Sequence, residues 1–279
     1  MTHRRAAWTM VLVTLLWSMA GVVTRHLEAA RSFELTFWRS AFNALALVPL
    51  LTLEQGRRWR WPDRTVWISS LCWAAMFTAF MVALTLTTVA NVLVTMASGP
   101  LLAALLARVF LHHRLSLRNW LAIGGGAVGV AVMFAGGMSG QGLAGMAIAV
   151  VVPLASAVNW TLMQGRSEAD LPLALLLGAV LSALLTLPLA WPLQASPHDM
   201  GLLAMLGVFQ LAIPCLIVIR VARALPAPEI ALLGLLEVVF GVLWAWLGAG
   251  EEPGLASAVG GFIVLAALAL KDQGLQETT

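Results

Sequence analysis

Long runs of apolar residues, separated by short polar or charged stretches, make up almost the whole of this chain. Each run is continuous over about 20 residues, the length that an α-helix needs to cross a hydrocarbon layer of about 30 Å. Strands of a membrane β-barrel would be shorter and would alternate between apolar and polar positions. The pattern therefore predicts ten helical spans, at residues 7–24, 33–53, 66–86, 90–110, 119–135, 143–163, 172–191, 200–220, 227–247 and 255–270.

The composition supports a protein that lies within a membrane. Of the 279 residues, 61% are hydrophobic and only 10% are charged, and the mean hydropathy is +0.91. A soluble domain carries about 25% charged residues, because its surface faces water. We therefore predict an all-α integral membrane protein with ten transmembrane helices.

The basic residues predict how the chain is oriented. If the N-terminus is cytoplasmic, most of the 16 lysines and arginines fall on the cytoplasmic side, and only Arg25 and Arg31 lie in an external loop. Basic residues are enriched in cytoplasmic loops of membrane proteins. We expect a multi-pass protein of a bacterial-type inner (plasma) membrane, with both termini cytoplasmic.

Several kinds of chemistry find no support in the sequence. Cys72 and Cys215 lie within apolar runs, and the five histidines lie in loops or tails without metal-ligand spacing, so we predict no cofactor and no metal. No phosphate-binding loop for ATP occurs. The expected partners are the lipid bilayer and a small-molecule substrate, an amino acid or another metabolite, and no nucleic acid. The oligomeric state is left open.

The chain resembles itself at about half its length. Residues 89–115 match residues 226–253, so we divide the chain into a first five-helix repeat at 1–140 and a second at 141–279. Because five spans is an odd number, the second repeat must lie inverted in the membrane. Inverted repeats are typical of secondary transporters, whose site lies near the midplane between the repeats. We expect the two halves to rock about a central, largely apolar cavity.

Three segments carry recognisable motifs. Residues 15–51 form a helix hairpin with a tryptophan beside a small residue, Trp17, and an arginine in its second span, Arg39. Residues 83–116 form a polar-capped helix that carries Pro100 and ends in His-His-Arg-Leu. Residues 224–253 contain Leu-Leu-Glu at Glu237 and a later glutamate, Glu251.

These motifs resemble those of the drug/metabolite transporter superfamily, in its EamA-type ten-helix branch. Arg114 matches the end of the family's Gly-Glu-Arg-Leu motif, while His113 stands where the family has glutamate. Val238 stands where the family has its second proline, so the sequence supplies no proline for a hinge there. The resemblance implies an exporter of amino acids or related metabolites that works by alternating access, closest to the aromatic amino-acid (YddG-like) group, and not an enzyme.

Alternatives to this function remain open at the level of the sequence. One is a structural or sensory membrane protein that transports nothing, and another is an intramembrane enzyme acting on a lipid-linked substrate. Within the transport hypothesis, proton coupling and facilitated diffusion are equally compatible with the residues.

Two charged residues within spans are the sharpest site candidates. Glu237 lies about ten residues into the ninth span, roughly 15 Å deep, and is either a ligand for an ammonium or proton or a residue that hydrogen-bonds to a neighbouring helix. Arg39 lies about six residues into the second span, roughly 9 Å deep. Its alternatives are a snorkelling or helix-pairing role, which we favour, and a ligand for a substrate carboxylate.

The other candidates are polar, aromatic or methionine side chains of the spans. For each, ordinary packing or anchoring at the membrane interface is the competing interpretation. With Glu237, the predicted substrate-binding residues are Trp17, Met76, Phe80, Asn91, Thr95, Met96, Trp160, Met163 and Gln164. With Arg39, the predicted structural or gating residues are Pro100 and Pro214, which either flex or fix a bend.

Overall fold

The computed structural model describes residues 1–55, 61–87, 89–110, 116–133, 142–163, 171–250 and 254–272. Regular structure in these residues is entirely helical, so the all-α prediction is confirmed for them. The described helices of the first half are α1 (His3–Trp17), α2 (Met19–Thr24), α3 (Ser32–Gln55), α4 (Arg64–Leu86), α5 (Val89–Met96), α6 (Gly99–Phe110) and α7 (Leu117–Met133). Those of the second half are α8 (Leu143–Ala149), α9 (Val151–Met163), α10 (Leu171–Ala190), α11 (Pro197–Met205), a π-helical segment (Leu206–Ala212), α12 (Ile213–Val221), α13 (Ala227–Gly234), α14 (Leu236–Ala249) and α15 (Leu255–Asp272).

Many of these helices are long enough to cross a membrane. Within the described residues, seven helical stretches are both long and apolar enough, namely His3–Thr24, Arg64–Leu86, Val92–Val109, Leu143–Met163, Leu171–Ala190, Pro197–Val221 and Ala227–Gly248. Shorter apolar helices occur at Leu117–Met133 and Ala258–Leu270. The 24 residues of α3 span about 36 Å, and this helix carries more charge than the others. The chain is therefore a multi-pass membrane protein.

Four of the predicted spans are not continuous helices. The interruptions fall in the first and fourth helical stretches of each half, at Ser18, at residues 97–98, at Val150 and at Leu235. Helices interrupted at corresponding places in the two halves are a known feature of transporters built from inverted repeats. The hydropathy pattern alone does not reveal them, because the residues on both sides of each interruption are apolar.

Prolines account for two of the interruptions and for the π-helical segment. A proline ring within a helix clashes with the carbonyl four residues earlier. For Pro100 and Pro153 the residue four positions earlier is the last residue of α5 and of α8, respectively. For Pro214 it lies within the π-helical segment, whose wider turn relieves the clash.

The interruption between α13 and α14 forms without a proline. The amide of Leu235 donates to the carbonyl of Leu232 at 3.1 Å, and the amide of Val238 donates to the carbonyl of Leu235 at 3.1 Å. Each bond joins residues three positions apart, as in a tighter 3₁₀ turn. The sequence at Val238 suggested that no hinge is encoded here, whereas backbone bonding interrupts the helix nonetheless.

Helices of the two halves are interleaved. The most extensive contacts join α7 to α15, both α3 and α4 to α10, and α9 to α4 and α6, while α13 also packs on α6 and α12 on α1. Each of these pairs takes one helix from each half of the chain. The halves are therefore not two separately packed bodies.

Two buried carboxylates connect the region around the start of α3 to the region around the start of α11 by hydrogen bonds. Asp199, which is fully buried, accepts hydrogen bonds from the backbone amides of residues 28–30 at 2.8–2.9 Å. Glu34, which is 4% exposed, accepts from the amides of Gln194 and Ala195 at 2.7 and 2.8 Å. Hydrogen bonds to a charged acceptor are stronger than neutral ones. The starts of α3 and α11 are therefore held together at one end of the bundle.

Helices α7 and α15 pack closely against each other. A Cβ atom added to Gly129 would lie 2.8 Å from the carbonyl oxygen of Gly260 and 2.9 Å from the amide nitrogen of Val264. Small residues allow membrane helices to pack backbone against backbone in this way.

We expect Gly129→Ala to destabilise the protein by about 1–3 kcal/mol, because the added methyl group meets backbone that cannot rotate away. Gly124→Ala is the matched control on the same helix, since nothing lies within 4 Å of its added Cβ. Thermal unfolding of the purified variants in detergent measures both effects. Equal melting temperatures for the two variants would contradict the close packing of α7 on α15.

Candidate functional site

A cavity of about 150 Å³ lies in the middle of the helical bundle, beside the four interruptions. Residues next to each interruption line it, including Trp17 at the end of α1 and Gly99 at the start of α6. Val152 and Leu235 do the same for the other two interrupted stretches. The cavity is therefore formed where the helices of both halves depart from regular geometry.

Aromatic and methionine side chains form most of the wall. One face of α4 supplies Trp73, Met76, Phe77 and Phe80, which follow the three-and-four spacing of a helix. The rings of Trp73 and Trp160 meet edge to face, with centroids 5.5 Å apart and planes at 81°. This wall offers a rigid apolar surface to an apolar or aromatic group.

Arg39 brings a buried cation to the cavity. Its side chain is 3% exposed, and Nη2 donates to the carbonyl oxygen of Phe77 at 3.4 Å. Among the described residues, Nε of Arg39 and the indole Nε1 of Trp73 have no hydrogen-bond partner. The guanidinium group is buried rather than extended towards the surface, which disfavours snorkelling and leaves helix pairing and a contact with a substrate as its alternatives.

Glu237 brings a carboxylate to the same cavity. It lies in the first turn of α14, where the partial positive charge of a helix N-terminus favours an anion. Its side chain is half-buried. Within the part of the chain that the structure describes, its carboxylate makes no hydrogen bond and no direct ion pair with Arg39. A cation and an anion therefore line one cavity without neutralising each other directly.

The π-helical segment adds an amide. Gln210 is 5% exposed and lines the cavity, and its Nε2 donates to the carbonyl oxygen of Trp17 at 3.2 Å. Its Oε1 has no hydrogen-bond partner among the described residues. The side-chain amide of Gln210 thus contacts the backbone at the end of α1, next to the interruption between α1 and α2.

Most residues predicted from the sequence lie on this cavity. Those in the lining are Trp17, Arg39, Met76, Phe80, Met96, Pro100, Trp160 and Glu237.

Other predicted residues are placed elsewhere. Met163 is fully buried in the hydrophobic core, and Thr95 and Pro214 lie outside the described lining. The side chain of Asn91 and the whole of Gln164 fall outside the described residues, as do the motif residues Arg114, His113 and Glu251.

Several lining residues were not predicted. The most informative are Trp73, Phe77 and Gln210. Trp73 and Phe77 share the helical spacing of Met76 and Phe80, so the stripe is visible in the sequence once α4 is known to face the cavity. Gln210 is the lone uncharged polar side chain in the apolar run LGVFQLAIPC, and such a residue in a membrane helix usually faces a partner or a cavity.

Comparison with known proteins defines the class to which this helical bundle and cavity belong. A family model described as the EamA-like transporter family matches residues 4–135 and again residues 143–271. The chain therefore belongs to the EamA-like transporter family, and the resemblance to the drug/metabolite transporter superfamily is confirmed.

Solved structures support the same fold. One crystal structure shares only 18% sequence identity with this chain, yet the match covers 96% of this chain and 97% of the other, with a TM-score of 0.81. At this identity the likeness shows the fold alone. None of the curated proteins matches this chain in sequence.

Proposed function

We propose that this protein is a secondary transporter that exports amino acids with apolar or aromatic side chains, or closely related metabolites, by alternating access. The observation that carries the proposal is the presence of Arg39 and Glu237, without a direct ion pair, on one cavity with an aromatic wall. A zwitterion needs a cation for its carboxylate and an anion for its ammonium group. Small-molecule sites typically combine a few such polar groups with apolar walls.

The free donors define where the substrate carboxylate binds in this proposal. Nε of Arg39 and Nε1 of Trp73 both lack a partner among the described residues. Arginine presents several N–H groups in a fixed geometry that matches a carboxylate. The ammonium group then lies towards Glu237, whose carboxylate has no hydrogen bond of its own to a described residue. This arrangement favours the ligand role of Glu237 over helix packing.

The size of the cavity suits one ring. A cavity of about 150 Å³ inside a protein is known to accept benzene. Together with the edge-to-face pair of Trp73 and Trp160, this volume favours a phenyl or branched aliphatic side chain.

We propose that the chain crosses the membrane ten times, with both termini cytoplasmic. Two observations support this topology, namely the bounds of the described helices and the excess of basic residues in the loops that it places on the cytoplasmic side. The two matches to the family model support repeats near 1–140 and 141–279. An odd number of spans in each repeat then makes the repeats inverted.

The interleaved contacts favour moving units that each contain helices of both repeats. Rocking of one complete repeat against the other would break the long contacts of α3 and α4 with α10 and of α7 with α15. Separating close-packed helices exposes their packed side chains and loses those contacts in every cycle. We propose instead that the interrupted helices around the cavity accommodate most of the movement.

We expect proteoliposomes that contain the purified protein to take up labelled phenylalanine and leucine faster than empty liposomes. We expect labelled aspartate and lysine to be taken up more slowly, because their charged side chains would be buried against an aromatic wall. Failure to move any amino acid or related metabolite would contradict the proposed substrate class.

Glu237→Gln tests the carboxylate. We expect at least a tenfold loss of the initial transport rate, because the amide keeps the shape but removes the charge that pairs with the substrate ammonium. Glu28→Gln is the matched control, since Glu28 is 67% exposed in a loop away from the cavity. An unchanged rate with an unchanged pH dependence would make Glu237 a structural residue.

Labelling of single cysteines tests the topology. In a background without Cys72 and Cys215, we expect Gln194→Cys to react with an impermeant maleimide on intact cells. Ser116→Cys should react only after permeabilisation, because the two exposed positions lie at opposite ends of the bundle in the proposed topology. Equal labelling of both on intact cells would contradict the orientation.

A further inference from the structure

Gln210 lines the cavity from an unusual stretch of backbone. The segment Leu206–Ala212 is π-helical, with hydrogen bonds between residues five apart instead of four, and Pro214 lies two residues beyond its end. Single π-helical turns within α-helices are frequent at functional sites. On the side facing α3, Gly207 approaches so closely that an added Cβ would lie 2.9 Å from the carbonyl oxygen of Arg39. The segment is therefore fixed against the helix that carries Arg39.

The orientation of the Gln210 amide is determined by its partner. Trp17 is the last residue of α1, and its carbonyl oxygen accepts the hydrogen bond from Nε2. A carbonyl oxygen can only accept, so the nitrogen of the amide must face Trp17. The oxygen, Oε1, then points away from Trp17 and has no partner among the residues that the structure describes.

A buried acceptor without a donor is costly unless another molecule supplies the donor. Arg39 does not supply it, because Oε1 has no hydrogen-bond partner among the described residues. Arg39 and Gln210 thus line the same cavity, and each carries a buried polar atom, the donor Nε and the acceptor Oε1, that has no partner among the described residues. A single molecule that carries both an acceptor and a donor group satisfies the two together.

We propose that Gln210 is a substrate-binding residue whose Oε1 accepts a hydrogen bond from the amino group of the substrate. This assignment rests on the proposed function and deepens it, because it adds a second acceptor to Glu237 on the amine side of the site. Two acceptors around one ammonium group select amino acids against carboxylic acids that lack the amine. A site that leaves a buried polar atom unpaired discriminates strongly against the smaller analogue.

The test compares two inhibitors of counterflow of labelled L-phenylalanine in proteoliposomes. One is unlabelled L-phenylalanine, and the other is 3-phenylpropionate, the same molecule without the amino group. The ratio of their half-inhibitory concentrations measures recognition of the amine. We expect Gln210→Met to lower this ratio about tenfold, because methionine is similar in size but offers no oxygen acceptor.

Three further variants make the result specific. Gln194→Met makes the same chemical change at an exposed loop position and should leave the ratio unchanged. Gln210→Glu keeps an oxygen acceptor but loses the hydrogen bond to the Trp17 carbonyl, so we expect it to retain more of the ratio than Gln210→Met does. If Gln210→Met does not reconstitute, Gln210→Leu removes the acceptor with a different side-chain shape.

Two outcomes separate this assignment from the function on which it rests. Wild-type protein that moves no phenylalanine contradicts the proposed function, and the role of Gln210 with it. If the wild-type protein transports phenylalanine and Gln210→Met gives the same inhibition ratio as wild type, only the role of Gln210 is contradicted. In that case an ordered water molecule, and not the substrate, satisfies Oε1.

Discussion

The hydrocarbon that surrounds this chain offers no hydrogen bonds, and the rest of the structure depends on that constraint. Each backbone amide and carbonyl must find a partner within the protein, so the apolar runs become helices. Polar side chains must turn inward for the same reason, and Arg39, Ser40, Asn43 and Ser182 are all almost fully buried. The hydroxyl groups of Ser40 and Ser182 meet at 3.0 Å between α3 and α10. The interior therefore contains polar side chains that hydrogen-bond from one helix to another.

A transport site adds a second requirement, which conflicts with unbroken helices. A regular helix uses its backbone groups internally and presents a smooth row of side chains. In this protein the cavity is lined by residues beside each of the four interruptions and by Gln210 and Leu211 of the π-helical segment. Pro100, Pro153 and Pro214 act through the same clash with the carbonyl four residues earlier. Between α13 and α14 the backbone achieves this result without a proline.

The polar atoms of the cavity are of opposite kinds. Arg39 and Trp73 leave donors free, whereas Gln210 leaves an acceptor free, among the residues described. A purely structural core tends to pair such groups with each other, since unpaired buried atoms cost stability. Their separation in one cavity is what favours a ligand with both an acid and an amine. Membership of a transporter family is consistent with this interpretation and leaves the substrate to be identified.

The sequence by itself determined the helical class, the membrane environment and the family, because these follow from continuous apolar runs and local motifs. It also identified Arg39 and Glu237, since a charge within an apolar span is conspicuous. It could not separate Met96, which lines the cavity, from Met163, which lies in the core. In helices that are apolar on every side, no polar face shows which side is inward. Only the packing of helices from both halves decided that, and only the interrupted backbone revealed the orientation of Gln210.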